Sequence, residues 1–191
     1  MVNIFRHKAW RWPYFSNYRN PDEYAERRRL IQFWRRQRGQ DIQLCYKPIE
    51  TNQFVEGTNV VSCIFREETD ECYITSVDLI GLLECLIGNR FSTEEKNRVR
   101  RNLEGFKPET MSKTKADEDS QAFFSLIMGF GEPRPRNIEK DVKVFKWKIV
   151  HQAMLKILSK YVSTGNPRNS TSASDLTCLI LSSPISARKI W

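Results

Sequence analysis

The sequence predicts an α+β fold in which a small antiparallel sheet, of about three strands, packs with four to five helices. Three short segments alternate between apolar and polar residues or run apolar, as strands do: 41–49, 60–66 and 72–75. Other segments repeat apolar residues at intervals of three and four, as helices do: 77–87, 92–104 and 147–162. With 191 residues, of which 40% are hydrophobic, the chain can bury one core of this kind.

Composition divides the chain into three parts. Residues 1–20 are an aromatic and basic N-terminal arm, and residues 21–163 carry the periodic segments of a single domain. Residues 164–191 are rich in Ser and Thr, and we expect a mostly disordered tail there.

A first helix is predicted from Pro21 to Arg38. Proline and acidic residues suit its first turns, and Arg35, Arg36 and Arg38 suit its last turn because cations stabilise the negative end of a helix dipole. Gly39 then favours a C-cap.

The next segments predict a strand, a hairpin and a central helix. Residues 41–49 form the strand, and residues 60–66 and 72–75 pair around an acidic tip. The helix from Val77 to Ile87 is apolar on most sides, with Thr75 or Ser76 as its N-cap and Gly88 at its end.

The second half of the chain predicts three further helices. Ser92 and Glu95 form a capping box that begins a helix running to Glu104, with Val99 and Leu103 on its buried side. Residues 107–116 are a basic loop, residues 119–130 a short helix and residues 138–144 an extended segment. The last helix, from Trp147 to Val162, has the strongest periodicity in the chain.

Nothing in the sequence predicts an enzyme. It contains no glycine-rich phosphate loop, no Gly-x-Ser-x-Gly elbow and no His-Glu-x-x-His motif. Its five cysteines include no Cys-x-x-Cys pair. Four of them lie in apolar runs, and we interpret these four as small buried hydrophobic residues in a reducing compartment. We expect the cysteines to bind no metal and to form no structural disulfide. We therefore expect no catalytic residue, no cofactor and no small-molecule substrate.

Membrane and secretory segments are not predicted. No run approaches the roughly 20 apolar residues that span a bilayer, and residues 1–12 lack the apolar stretch of a signal peptide. We expect the cytosol or the nucleus.

The formal charge of +8 favours an anionic partner such as DNA or RNA. Residues 1–40 carry ten Lys or Arg and three acidic residues, a local charge of +7. Clustered cations bind phosphates by releasing condensed counterions. We predict phosphate contacts from five arginines of this stretch: Arg27, Arg28, Arg35, Arg36 and Arg38.

The helix that begins at Ser92 predicts a surface for reading bases. Asn97 and Arg101 lie opposite its buried side, and these residue types bind the edges of adenine and guanine. Cations that can contact phosphates flank them on the same helix and recur in the basic loop and the last helix: Lys96, Arg98, Arg100, Lys107, Lys113, Lys148, Lys156 and Lys160. The alternative is an ordinary solvated face, because exposed Arg and Asn are common on helices.

Four strings of residues resemble the fungal medusa-type developmental regulators, over roughly residues 21–162. They are Arg27–Arg36, Tyr73–Ile80, Phe91–Pro108 and Arg136–Phe145. More distantly, the order of several short motifs is similar to that of the sterile-twelve-type mating transcription factors: Val61-Ser62-Cys63, Tyr73-Ile74-Thr75, Arg101-Asn102-Leu103, and Lys143-Val144-Phe145 with Trp147. The chain departs from that order at Glu104-Gly105-Phe106, which separates Leu103 from Lys107-Pro108.

The resemblance implies a nuclear DNA-binding domain that controls transcription in development, with duplex DNA and other transcription factors as partners. Two alternatives stay open on the residues alone. One is a protein-interaction module of a transcription complex that binds acidic partners. The other is single-stranded RNA binding, because aromatic side chains interleaved with arginines can stack on bases.

Overall fold

The structure is a computed structural model that describes residues 21–38, 41–114, 117–135 and 141–163. The predicted N-terminal arm (1–20) and tail (164–191) lie outside these residues.

One antiparallel sheet of six strands forms the centre of the domain, in the order β2-β1-β3-β4-β6-β5. The strands are β1 (Arg28–Arg38), β2 (Asp41–Ile49), β3 (Asn59–Arg66), β4 (Glu71–Thr75), β5 (Glu109–Met111) and β6 (Val142–Lys146). The predicted α+β class and the hairpin of β3 with β4 are confirmed. The prediction of about three strands is wrong, because the sheet has six.

Five α-helices accompany the sheet in the described part of the chain, as predicted. They are α1 (Pro21–Ala25), α2 (Ser76–Ile87), α3 (Thr93–Glu104), α4 (Glu118–Gly129) and α5 (Val150–Ser163). None of these described helices combines the length and the apolar character needed to cross a membrane.

The predicted helix from Pro21 to Arg38 is wrong beyond its first turn. Only residues 21–25 are helical, and Arg27 has a positive φ of 51°, which ends helical geometry. The residues that follow form β1, which pairs with β2 on one side and β3 on the other. Both pairings satisfy the backbone of this segment, and this tertiary context overrides the helix-like spacing of Leu30, Phe33 and Trp34.

The predicted basic loop over residues 107–116 is also wrong in part. Its residues 109–111 form β5, which pairs with β6. The extended segment predicted over 138–144 is β6, which runs from 142 to 146. Because β5 has only three residues, its partner rather than its own sequence defines it.

Side chains of the two sheet faces enter two separate cores. On one face, residues such as Ile31, Phe33 and Ile74 pack with three helices, α2, α3 and α5, and we call this the helix-covered face. On the other face, which we call the second face, residues such as Tyr73 and Val144 pack with α4. Successive strand residues point to opposite faces, so β3, β4 and β6 contribute side chains to both cores.

The predicted helix boundaries are confirmed where the sequence carries capping residues. The hydroxyl of Thr75 accepts a hydrogen bond from the backbone N–H of Asp78, and Gly88 ends α2 with a φ of 81°. Ser92 and Glu95 form the capping box of α3, with bonds of 3.2 Å and 2.8 Å. These caps fix where α3 begins and therefore which of its side chains reach the surface.

Candidate nucleic-acid interface

α3 presents one side to the core and the opposite side to the surface. Val99 and Leu103 are 0% and 1% exposed and belong to the core of the helix-covered face. We call the exposed side the α3 basic face; it consists of Asn97, Arg98, Arg100 and Arg101. The predicted outward direction of Asn97 and Arg101 is confirmed.

A hydrogen bond within α3 joins two side chains of this face. The guanidinium of Arg100 donates to the side-chain oxygen of Asn97 over 2.9 Å. Both side chains are exposed, so water can replace this bond at a small free-energy cost. The bond uses one lone pair of the Asn97 amide oxygen, so the second lone pair and the two N–H donors of the amide stay available.

Glu84 of α2 anchors the start of α3. Its carboxylate is 5% exposed and accepts from the backbone N–H of Phe91 over 2.8 Å. The side chains of Arg90 and Lys96 approach the same carboxylate at 3.1 Å and 3.3 Å. Lys96, predicted as a phosphate contact, is therefore half-buried in a contact that holds two helices together.

The C-terminal end of α3 is the more positive end. Glu104 lies there, but Lys143 of β6 binds its carboxylate at 2.8 Å, and this hydrogen bond lowers the pKa of Glu104. The ammonium of Lys156 in α5 lies 4.9 Å from the centre of the Phe106 ring, and Lys107 is exposed just beyond the helix. Three residues predicted to contact nucleic acid thus lie at this end: Arg101 of α3, Lys107 of the segment after α3 and Lys156 of α5.

The β1 arginines occupy several different environments. Arg28 is 4% exposed, and its guanidinium donates to the hydroxyl of Ser62 and the carbonyls of Gly131 and Pro133. Arg28 is therefore an interior residue whose donors bind other parts of the protein, and it does not belong to the exposed cations.

Three other predicted arginines stay nearer the surface. Arg27 approaches Glu67 at 3.7 Å, and Arg35 donates to the carbonyl of Leu86 over 3.2 Å. Arg36 is exposed. The side chain of Arg38 lies outside the part of the chain that the structure describes.

The remaining predicted lysines are dispersed. Lys113 is exposed in the segment after β5, and Lys148 forms an ion pair with Glu71 of β4, as does Lys146. The side chain of Lys160 lies outside the described residues. Of the three lysines predicted in the last helix, Lys156 is the one that the described side chains place near α3.

The cysteines and the possible metal ligands bear on whether the domain could form disulfides or hold a metal ion. Cys45, Cys63, Cys72 and Cys85 form no disulfide, and Cys178 lies outside the described residues. No cluster of three or more potential metal ligands occurs among the residues that the structure describes.

A cleft of about 430 Å³ lies between α1 and the end of β2. Its lining includes Glu23, Glu26 and Glu50. This acidic lining does not suit a phosphate backbone.

The family model described as a domain of unknown function, DUF7082, matches residues 15–158. The chain belongs to this family. No curated protein and no solved structure matches the chain at a significant level.

Sequence reasoning missed two groups that shape the candidate interface of this DUF7082 domain. One is Glu84, whose place in an apolar helix gave no sign of the three groups that bind it. The other is Lys143, which neutralises Glu104 from 39 residues away. The one sequence signal that could have indicated Glu84 is an acidic residue within an otherwise apolar helix, because an acid in such a helix is rarely buried without a partner.

Proposed function

We propose that this DUF7082 domain is a DNA-binding domain of a nuclear transcriptional regulator and that it binds duplex DNA through α3. The observation that carries the proposal is the α3 basic face. It exposes three arginines and an asparagine on a helix whose opposite side is fixed in the core. A helix of this kind fits the major groove, where Arg and Asn distinguish guanine and adenine. The resemblance to medusa-type regulators supports the role in transcription.

The residues of the proposed interface divide into two roles, contacts to base edges and contacts to phosphates. Arg101 and Asn97, on the outward side and one turn apart, contact base edges. Arg98 and Arg100 beside them contact phosphates. Lys107 and Lys156 extend the contacts to the backbone beyond the end of α3.

Selection of bound duplexes from a random pool, followed by titration of variants, tests these roles. Arg101→Ala should relax the preference at one or two base positions, by about 1–3 kcal/mol per base, and leave binding to random duplex largely intact. Arg98→Ala should weaken both kinds of binding and reduce the slope of log K against log salt by about 0.9. The two variants remove the same charge from neighbouring positions and so control for each other.

Arg134→Ala is the matched control away from α3. Arg134 is exposed in the segment after α4, which packs on the second face. It should bind both duplexes as the wild type does. Equal losses of specific and random binding in Arg101→Ala would make Arg101 a phosphate contact. Unchanged binding in both α3 variants, or a pool with no enriched sequence, would refute the proposal.

A further inference from the structure

Among the residues that the structure describes, the helices leave part of the second face uncovered at β1 and β2, where Trp34, Arg36 and Lys47 are exposed. α4 packs over β3 to β6, and Phe130 of the segment after α4 lies against Arg28, 4.6 Å from the centre of the ring to the guanidinium. Ile31 and Phe33 point to the helix-covered face, so their neighbours on β1 point to the second face. We call the uncovered part the Trp34 patch; it consists of Gln32, Trp34, Arg36, Cys45 and Lys47.

Strand register brings these residues close together. Trp34 is paired with Cys45, and Gln32 with Lys47. Lys47 is therefore a diagonal neighbour of Trp34, about 7–8 Å away between backbones. Arg36 lies two residues along β1, at a distance of roughly 7 Å. Two cations thus flank one indole on the same surface.

The patch is accessible and positively charged. Trp34 is 38% exposed, one of four large hydrophobic residues in the described chain that are this accessible, and Arg36 and Lys47 are exposed as well. Among the described side chains of the patch, none is acidic. A flat indole beside cations complements an aromatic ligand that carries negative charge.

We propose that the Trp34 patch binds an unpaired nucleotide of a single-stranded nucleic acid. The indole of Trp34 stacks on the base, and Arg36 and Lys47 contact the flanking phosphates. Stacking requires an unpaired base, because the faces of a base inside a duplex are already covered by its neighbours. Different residues, on the opposite face from α3, carry this proposal, so it stands independently of the proposed function.

Titration of the full chain with labelled oligonucleotides tests the proposal. The probes are dT12, rU12 and a random 12-base-pair duplex, where dT12 and rU12 distinguish DNA from RNA as the source of the unpaired base. Trp34→Ala should weaken binding of the preferred single strand about tenfold or more. Trp34→Phe should retain most of the affinity, because a phenyl ring still stacks. Arg36→Gln and Lys47→Gln should each reduce the salt slope by about 0.7, whereas Trp34→Ala should leave that slope unchanged.

Tyr24→Ala, which removes an exposed aromatic residue of α1, is the matched control and should bind as the wild type does. A urea transition on each variant verifies the fold. The proposal is overturned if the wild type binds neither single strand or if Trp34→Ala binds both unchanged. Equal losses for duplex and single strand in Trp34→Ala would also overturn it. Displacement of the single strand by oligoglutamate at equal charge concentration would assign the patch to an acidic protein instead.

Discussion

Arg28 shows how a cation in a basic run becomes part of the interior. Its three donor groups bind residues of β3 and of the segment after α4, and the ring of Phe130 lies against its guanidinium. Asp78 at the start of α2 accepts from the backbone N–H of Ser62 over 2.9 Å, beside the same arginine. The cluster joins β1, β3, α2 and the segment after α4, and an unpaired member would leave a buried polar group unsatisfied.

Asp78 should make the stability of the domain depend on pH. Burial raises the pKa of its carboxyl group to about 7, although the Ser62 hydrogen bond and the charge of Arg28 oppose the increase. A raised pKa means that the folded state binds the proton more tightly than the unfolded state. The stabilisation is therefore complete below about pH 4 and declines as the pH rises through about 7.

Urea unfolding of Asp78→Asn between pH 4 and pH 8 tests this dependence. From pH 4 to pH 8, the free energy of unfolding of the wild type should fall by on the order of 1–3 kcal/mol more than that of the variant. Asp70→Asn is the control, because Asp70 is an exposed acid with a φ of 50° that Asn also tolerates. Identical pH profiles for Asp78→Asn and the wild type would contradict the prediction.

Among the elements, those with local signals were predictable from the sequence. α2 and α3 carry their own caps, and α5 repeats buried residues at helical spacing, so local and tertiary preferences agree. β1 was not predictable in this way, because its spacing fits a helix and only pairing with β2 and β3 decides for a strand. β5 depends on a partner more than 30 residues later.

The same distinction applies to the candidate interface. The outward direction of Asn97 and Arg101 follows from Val99 and Leu103 in the same helix. The burial of Arg28 depends on Gly131 and Pro133, which lie more than 100 residues away in the chain. Contacts at such separations leave no periodic trace in a single sequence.

The connection between α2 and α3 should depend on Glu84. Glu84→Ala leaves the buried N–H of Phe91 without its acceptor, and should lower the free energy of unfolding by about 1–3 kcal/mol. It should also weaken duplex binding, because the anchored start of α3 loosens. Urea titration and duplex titration measure the two effects.

Glu94→Ala is the matched control, since Glu94 is an exposed acid in the first turn of α3. It should change stability by no more than about 0.5 kcal/mol. Equal stability of Glu84→Ala and the wild type would show that Glu84 does not hold the two helices together.

At the scale of the whole molecule, the sheet separates the two proposed surfaces. α3 packs on the helix-covered face through Val99 and Leu103, whereas Trp34 alternates with Phe33 and lies on the second face. The residues of the two surfaces therefore lie on opposite faces of the sheet. Other cations of the domain, outside these two surfaces, form ion pairs, such as Arg29 with Glu23 at 2.7 Å.

This separation predicts that the two surfaces act independently. In the double variant Arg101→Ala/Trp34→Ala, the loss of affinity for the selected duplex should equal that of Arg101→Ala alone, and the loss for the single strand that of Trp34→Ala alone. The coupling energy should stay within about 0.5 kcal/mol, as is usual for distant sites without shared partners. Saturating single strand should likewise leave the duplex titration of the wild type unchanged. Competition between the two ligands, or a coupling above about 1 kcal/mol, would mean that both bind one continuous surface around the edge of the sheet.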